Sequence, residues 1–323
     1  MSLLQSFPHS HLSGFVQPTE KTITTMISKL FFSGHRVVKI YKQQKYFFAD
    51  LKHLNPRRSF YRDDFLWNHK MSPHIYLRLQ GMQLQQGTWR PASLTAAQDF
   101  CLVMKRIDDG QNLTARLMAG QVTEQQLAQL AQVMMTSLQQ LSRENQAALR
   151  QLRAQWEWPD FVNINLADNR DWAYSACPSL PRPTINRIIA RVKKARQRIP
   201  YFQQLTMADM MYSIDSQSDN LLLLDSQIQF LDIMPPKPNW RINDLLYTLS
   251  RPATDVAALN NPKLAQIIYR TYARYHSLPS PAVIASYEII NALIRAAYFY
   301  NLGQPAVAKK YVAYINRLLP KLP

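Results

Sequence analysis

In the first third of the chain, apolar residues recur with a period of two. Residues 23–32, ITTMISKLFF, predict a strand, Ser33-Gly34-His35 a turn, and Arg36–Lys42, RVVKIYK, a second strand. In the second strand Val37, Lys39 and Tyr41 share one face and Val38 and Ile40 the other. Residues 1–18 lack such a pattern and read as a loose polar lead-in. Arg57–Met71 changes to a helical period, with Phe60, Asp64, Trp67 and Met71 about one turn apart. Leu79–Trp89 predicts a hairpin. Phe100–Arg106, FCLVMKR, predicts a buried strand that runs out into charge.

Beyond this point helical spacing dominates. Thr123 and Gln126 form a candidate capping box, followed by an apolar stripe from Leu127 to Leu141. A further amphipathic helix is expected within 142–160. Asp160–Pro183, with its prolines and aromatics, reads as a long irregular connection. Thr184 is expected to cap a helix whose buried face is Ile185, Ile188, Ile189 and Val192. Its Arg and Lys residues face mostly outward, which suits a solvated basic face or an anion contact. Helices near 262–276, 282–301 and 305–319 close the chain. Strands first and helices afterwards place the chain in the α+β class.

One stretch in the helical half breaks the pattern. Met211–Asp232 reads MYSIDSQSDNLLLLDSQIQFLD. Leu221–Leu224 and Gln227–Leu231 predict a short hairpin, with Asp225-Ser226 as its turn. A hairpin brings its ends together, so Asn220 and Asp232 can share a small site, with Asp215 on the loop before them. Two hard oxygen ligands beside a carboxylate suit Mg²⁺ and phosphoryl transfer. Read by itself, the stretch is equally a capped polar turn before an ordinary hairpin.

Composition narrows the alternatives. The 323 residues can bury a large core, and 47% hydrophobic content argues against disorder. The two cysteines, Cys101 and Cys177, are far apart, which excludes a disulfide scaffold and a cysteine-built zinc site. No secretory pattern is seen at the N-terminus, and no apolar run is read as a membrane span. The most apolar helix candidate, Tyr287–Leu302, contains Glu288 and Arg295. The expected location is therefore the cytoplasm. A net charge of +17 would attract nucleotides, nucleic acid or anionic lipid. The basic residues after Thr184 lack interleaved aromatics, which weighs against single-strand nucleic-acid binding. With seven glycines, the chain has neither a Gly-x-Gly-x-x-Gly nor a Walker loop.

The Met211–Asp232 stretch resembles the catalytic centre of the aminoglycoside phosphotransferase family, part of the protein-kinase-like superfamily. The closest likeness is to a bacterial branch of it. That family carries His-Gly-Asp, four residues, Asn, then a hairpin ending in a metal-binding Asp. Here the spacing survives as Asp215, Asn220 and Asp232, while Ser213-Ile214 replace His-Gly and Asp219 stands where Gly is usual. Gly34–Lys42 resembles the family's turn and strand ending Tyr-Lys-Ile-Lys. Phe48, Asp50, Leu54, Arg57, Arg58, Asn68, Pro73 and Tyr76 follow the order of a family segment.

The resemblance implies a protein-kinase-like two-lobed fold. It comprises an N-terminal extension at 1–19, a small β-rich lobe at 20–103 and a large, mainly helical lobe at 104–323. It implies Asp215 as catalytic base and Asn220 and Asp232 as Mg²⁺ ligands. Lys39 would hold the α/β-phosphates of ATP, paired with Asp64 or alternatively Asp63. Aspartate is shorter than the family's glutamate, so that pair must be close or water-bridged. A hinge is expected near Val103–Arg106, with Val103 and Lys105 at the adenine. Asp244 would buttress the catalytic loop, and Arg295 falls on an arginine of the family's closing helix. The implied activity is ATP- and Mg²⁺-dependent phosphorylation of a hydroxyl on a small molecule. The changed residues at 213, 214, 219 and 64 favour an alternative: a catalytically impaired nucleotide-binding or scaffold protein.

Overall fold

The computed structural model describes residues 2–7, 19–107, 110–176, 180–224 and 227–323. Cys177 and the expected Asp225-Ser226 turn lie outside them, as does most of the lead-in. The chain divides into two compact units. One comprises residues 1–109 with 229–237, and the other 110–228 with 238–323.

The first unit is built on a six-stranded antiparallel sheet. Its strands are β1 (Lys21–Thr24), β2 (Ser28–Ser33), β3 (Arg36–Tyr41), β4 (Tyr76–Gln85), β5 (Thr88–Ala92) and β6 (Asp99–Lys105). They lie in the order β1-β2-β3-β6-β4-β5. The single strand expected at 23–32 is two strands, because Thr25 turns the chain by accepting from Ser28 N–H at 2.9 Å. Gly34 makes the β2–β3 turn at φ +51°, where a side chain is disfavoured.

A short helix α1 (Leu3–Ser6) precedes the sheet. Leu3 and Phe7 are buried with Phe31, Val38, Ile40, Met82, Trp89 and Cys101. Where described, the lead-in is therefore core rather than loose polar chain. On the opposite strand face lies α2 (Leu54–Met71), which starts three residues earlier than its spacing predicts. Its buried face is Arg57, Phe60, Tyr61, Asp64 and Asn68, not the stripe through Trp67 and Met71.

Every strand residue from Arg36 to Lys39 is paired to β6, and the Lys105 N–H still donates to Ile75 O at 2.8 Å. The Arg106 N–H donates to His35 O at 2.9 Å. Val103 to Lys105 thus belong to β6, and the boundary between the two units follows at 109–110. The stretch 103–106, where a hinge was expected, lies before that boundary, at the end of a strand that keeps its partners.

The second unit is mainly helical. Its helices are α3 (Leu113–Met118), α4 (Glu124–Glu144), α5 (Gln146–Arg153), α6 (Trp158–Ala176), α7 (Arg182–Arg196), α8 (Pro200–Gln204), α9 (Leu245–Leu259), α10 (Pro262–Tyr272), α11 (Pro281–Asn301) and α12 (Pro305–Leu318). The capping box of Thr123 and Gln126 forms as expected. The long irregular connection does not. Residues 158–176 are helix α6, because Pro159 sits in its first turn, where proline needs no donor, and Phe161, Leu166 and Ala173 turn inward. Helix α7 begins at Arg182, so Thr184 lies inside it and does not cap it. Helix α11 is long and apolar enough by length and composition to cross a membrane, contrary to the sequence reading. Within the fold, 78% of its most apolar window is buried. A largely apolar helix fits such a core position.

Four short strands complete the chain. β7 (Met211–Tyr212) pairs antiparallel with β10 (Ile242–Asn243), and β8 (Leu221–Leu224) forms a two-stranded sheet with β9 (Gln227–Phe230). The division between the units falls within β9.

Candidate active site

In the first unit the sheet places Lys39 on the face of β3 that meets α2. Its side chain is 3% exposed, and its Nζ lies 3.5 Å from Asp64 Oδ2 and closer still to Asp232 Oδ1. The ammonium also lies 4.9 Å from the centre of the Tyr41 ring. Burial alone would lower the Lys39 pKa. The carboxylates of Asp232 and Asp64 outweigh burial and raise it, so the charged form is held. Aspartate therefore reaches the lysine directly despite its missing methylene. It is Asp64, not Asp63, that makes this pair.

Asp64 is fixed by its neighbours. Tyr41 Oη donates to its Oδ2 at 2.6 Å, and Asn68 Nδ2 donates to its Oδ1 at 2.7 Å. Burial raises its carboxyl above the ordinary value, and Lys39 opposes that shift. The end of α2 and the start of β4 hold the Asp232 segment. Asp232 N–H donates to Tyr76 Oη at 2.7 Å, Ile233 N–H to Asn68 Oδ1 at 2.9 Å, and Phe230 N–H to Ser72 Oγ at 3.1 Å. Asp232 itself sits at φ +50°, a region uncommon for non-glycine residues that aspartate enters more readily than most. Arg57 belongs to the frame: its Nε lies 3.0 Å from the buried Asp99 Oδ1.

In the second unit, the loop after β7 carries Asp215 and Asn220. Ser213 and Ile214, which stand where His-Gly was expected, are fully buried. Ser213 N–H donates to Arg241 O at 2.8 Å, and its hydroxyl lies 2.9 Å from Thr248 Oγ1. Ser216 Oγ donates to Thr248 O at 2.9 Å, and Ser218 N–H to Asp255 Oδ2 at 2.8 Å. Asn220 Nδ2 donates to the Asp215 carbonyl at 2.8 Å. The changed residues are thus built into a fixed loop.

Asp215 carries a partner that the sequence did not disclose. Arg251 Nη1 lies 2.7 Å from its Oδ1, and the Asp215 side chain is 28% exposed. Asp219, the expected glycine position, is also paired. Arg295 Nη1 lies 2.8 Å from Asp219 Oδ2, and Arg295 Nε lies 3.0 Å from Asp255 Oδ1. Asp255 thereby joins the buried arginine to the loop backbone. Asp244 was expected in that buttressing role. Instead it caps α9 by accepting from Tyr247 N–H at 2.9 Å, and it accepts from the hydroxyls of Tyr201 and Tyr287. Thr248 and Asp255, one and three turns into α9, hold the loop.

The fold therefore brings Lys39, Asp64 and Asp232 together in the first unit, and Asp215 with Asn220 in the second. Arg251 and Asp255 were missed. The available signal was charge inside an otherwise apolar helix, where a buried ion needs a partner.

Each unit carries an oxygen donor of the type Mg²⁺ takes. Asp232 offers a carboxylate that is 49% exposed, and the bond from Asn220 Nδ2 identifies Oδ1 as its ligand-type atom. Among the described residues no group of three or more His, Cys, Asp or Glu could hold a metal alone. Magnesium commonly takes one or two carboxylates and completes its shell with water and substrate phosphates.

No protein-family model matches the chain, and no curated protein matches it in sequence. Solved structures do match. A thermostable mutant of aminoglycoside phosphotransferase APH(4)-Ia, in ternary complex with ADP and hygromycin B, aligns with TM-score 0.54 and 12% identity. The alignment covers 99% of this chain and 98% of that one. A microcompartment-associated aminopropanol kinase aligns at TM-score 0.51 and 13% identity, covering 98% and 97%. Choline kinase from Cryptosporidium parvum Iowa II aligns at TM-score 0.51 and 11% identity, covering 93% and 88%. At these identities the likeness is one of fold: the chain has the protein-kinase-like fold, with a β-rich N-terminal part and a helical remainder.

Proposed function

We propose that this chain is an ATP- and Mg²⁺-dependent phosphotransferase that phosphorylates a hydroxyl group of a small molecule. The observation that carries the reading is the buried Lys39 joined to both Asp64 and Asp232. A desolvated ammonium held charged by two carboxylates is a costly feature for stability alone, and it is the feature phosphate binding needs. In this reading Lys39 binds the α/β-phosphates, Asp64 positions Lys39, and Asn220 and Asp232 hold Mg²⁺. When bound, the metal neutralises charge on the β- and γ-phosphate oxygens. The adenine lies against the end of β6, which carries Val103 and Lys105.

Asp215 orients the acceptor hydroxyl and takes its proton. The acceptor oxygen bonds to the γ-phosphorus, the bond from that phosphorus to the β–γ bridging oxygen breaks, and ADP leaves. Most of the acceleration comes from positioning and charge placement rather than covalent chemistry. The ADP complex and the kinase activities named for the structural neighbours support this reading.

A second reading, a nucleotide-binding protein that transfers nothing, is favoured by the ion pair between Asp215 and Arg251. Both readings require nucleotide binding. A thermal-shift titration with ATP, with and without Mg²⁺, tests that requirement. Ligand at about 100 times its Kd should add about 2.7 kcal/mol. The absence of any shift at millimolar ATP–Mg²⁺ would contradict both.

A further inference from the structure

Within the second unit a pocket of about 590 Å³ opens between the end of α4, helix α5 and the segment that enters β7. Ser142 and Arg143 line it from the last turn of α4, and Gln146, Leu149, Arg150 and Arg153 from α5. Steps of three, four and seven residues put the α5 side chains on one helix face. The volume is that of a small-molecule site.

The walls are bonded to the strand beside them. Arg153 Nε donates to Met210 O at 2.6 Å, and Tyr212 N–H donates to Ser142 Oγ at 3.1 Å. Met211, between these two anchors, adds apolar surface to the lining, as does the buried Leu149. The fold's own hydrogen bonds thus shape the pocket, so an occupant does not have to order it.

Its charge is one-sided. Three guanidiniums, those of Arg143, Arg150 and Arg153, line it against one carboxylate, Asp209. Arg143 and Arg150 are exposed, so a ligand can reach them. Asp209 is engaged locally: the N–H and the hydroxyl of Thr206 both donate to its Oδ2 at 2.8 Å. Burial lowers the Arg153 pKa, and Asp209 only partly opposes that shift. One carboxylate therefore leaves the pocket cationic, and a concave surface of one sign concentrates ions of the other.

We propose that this pocket binds a small organic phosphate carrying two or more negative charges, at a site separate from the Lys39 and Asp215 clusters. It shares no residue with either cluster, so its occupancy does not depend on phosphotransfer. Phosphate is preferred to carboxylate because each of its three free oxygens can take a guanidinium N–H, where a carboxylate offers two. Gln146, beside the arginines, suits the hydroxyls of a sugar-like body.

The test is calorimetric titration of the full chain at low ionic strength. The probes are fructose bisphosphate, citrate as a polycarboxylate, and neutral fructose. The bisphosphate should bind most tightly, citrate more weakly, and fructose not at all. Arg143→Gln combined with Arg150→Gln, both at exposed positions, should leave the apo melting temperature unchanged. The same double variant should weaken the bisphosphate about tenfold or more. Its ATP–Mg²⁺ thermal shift should match that of the wild type. No binding of the bisphosphate, equal binding by the double variant, or citrate binding as tightly as the bisphosphate would overturn the proposal. Loss of the ATP–Mg²⁺ shift together with bisphosphate binding would also overturn it, by placing both ligands at one nucleotide site.

Discussion

The carboxylate of Asp215 is held by the guanidinium of Arg251, 2.7 Å away, from a helix that also supplies the buttress of the Asp215 loop. Arg251 is thus a positioning residue for the proposed base. Arg251→Met should lower kcat while leaving the KM for ATP unchanged, and Arg251→Lys should restore part of the loss. The stability cost should be about 1–2 kcal/mol, because Asp215 is 28% exposed and can rehydrate. A fall in ATP affinity equal to the fall in kcat would show Arg251 to be a general structural element instead.

The Asp219–Arg295–Asp255 cluster predicts unequal costs. Asp255 is fully buried, and its loss would leave the Arg295 Nε, the Ser218 N–H and the Tyr311 hydroxyl without their acceptor. Asp255→Ala should cost about 3–5 kcal/mol. Asp219 is 28% exposed, so Asp219→Ala should cost about 1 kcal/mol or less. Urea unfolding of both variants checks the order, and equal midpoints would refute it.

Lys39 should be structural and functional at once. Lys39→Met leaves the buried Asp64 carboxylate with neutral partners only, so the apo protein should lose about 3–5 kcal/mol at neutral pH. Adding Asp64→Asn should recover most of that loss without restoring the ATP-dependent thermal shift. Recovery of both would assign phosphate binding elsewhere.

Glu288 sets a pH dependence. It is buried on α11, where the hydroxyls of Tyr269 and Tyr314 donate to it, and burial pushes its carboxyl from 4.5 up to about 7. The folded state therefore binds this proton more tightly than the unfolded chain. Stability is present in full below about 4.5, is lost as pH rises toward 7, and is level above it. The loss is about 3 kcal/mol. Glu288→Gln should remove this fall from the curve of unfolding free energy against pH. An unchanged slope between pH 5 and 7 would show that Glu288 titrates normally.

Much of the site was legible because its residues lie close in sequence or on regular elements. The alternation in β3 placed Lys39 on one face with Val37 and Tyr41, and the Asp215–Asn220–Asp232 spacing marked the loop and its hairpin. The helical period also put Asp64 on α2, although spacing ran the buried face through Trp67 and Met71 and so passed over its partner Asn68. What escaped were pairings between distant segments. Nothing near Arg251 announces Asp215, and nothing near Asp255 announces Arg295, because burial and charge complementarity appear only once the helices pack. The helix at 158–176 was lost to its prolines and aromatics, since Pro159 reads as a breaker until it is seen in the first turn. The end of β6 was hard to read because a buried strand running into charge looks finished before its hydrogen bonds are.

The central claim, that Asp215 orients and deprotonates an acceptor hydroxyl, is tested most directly by turnover in Asp215→Asn. The change keeps the shape of the side chain and removes its charge, while Lys39, Asn220 and Asp232 remain for nucleotide and metal. Phosphate release or acceptor phosphorylation should fall about 10²- to 10⁴-fold, with the ATP–Mg²⁺ thermal shift unchanged. Equal rates in the wild type and Asp215→Asn, with ATP bound by both, would contradict the account and leave a protein that binds nucleotide without transferring phosphate.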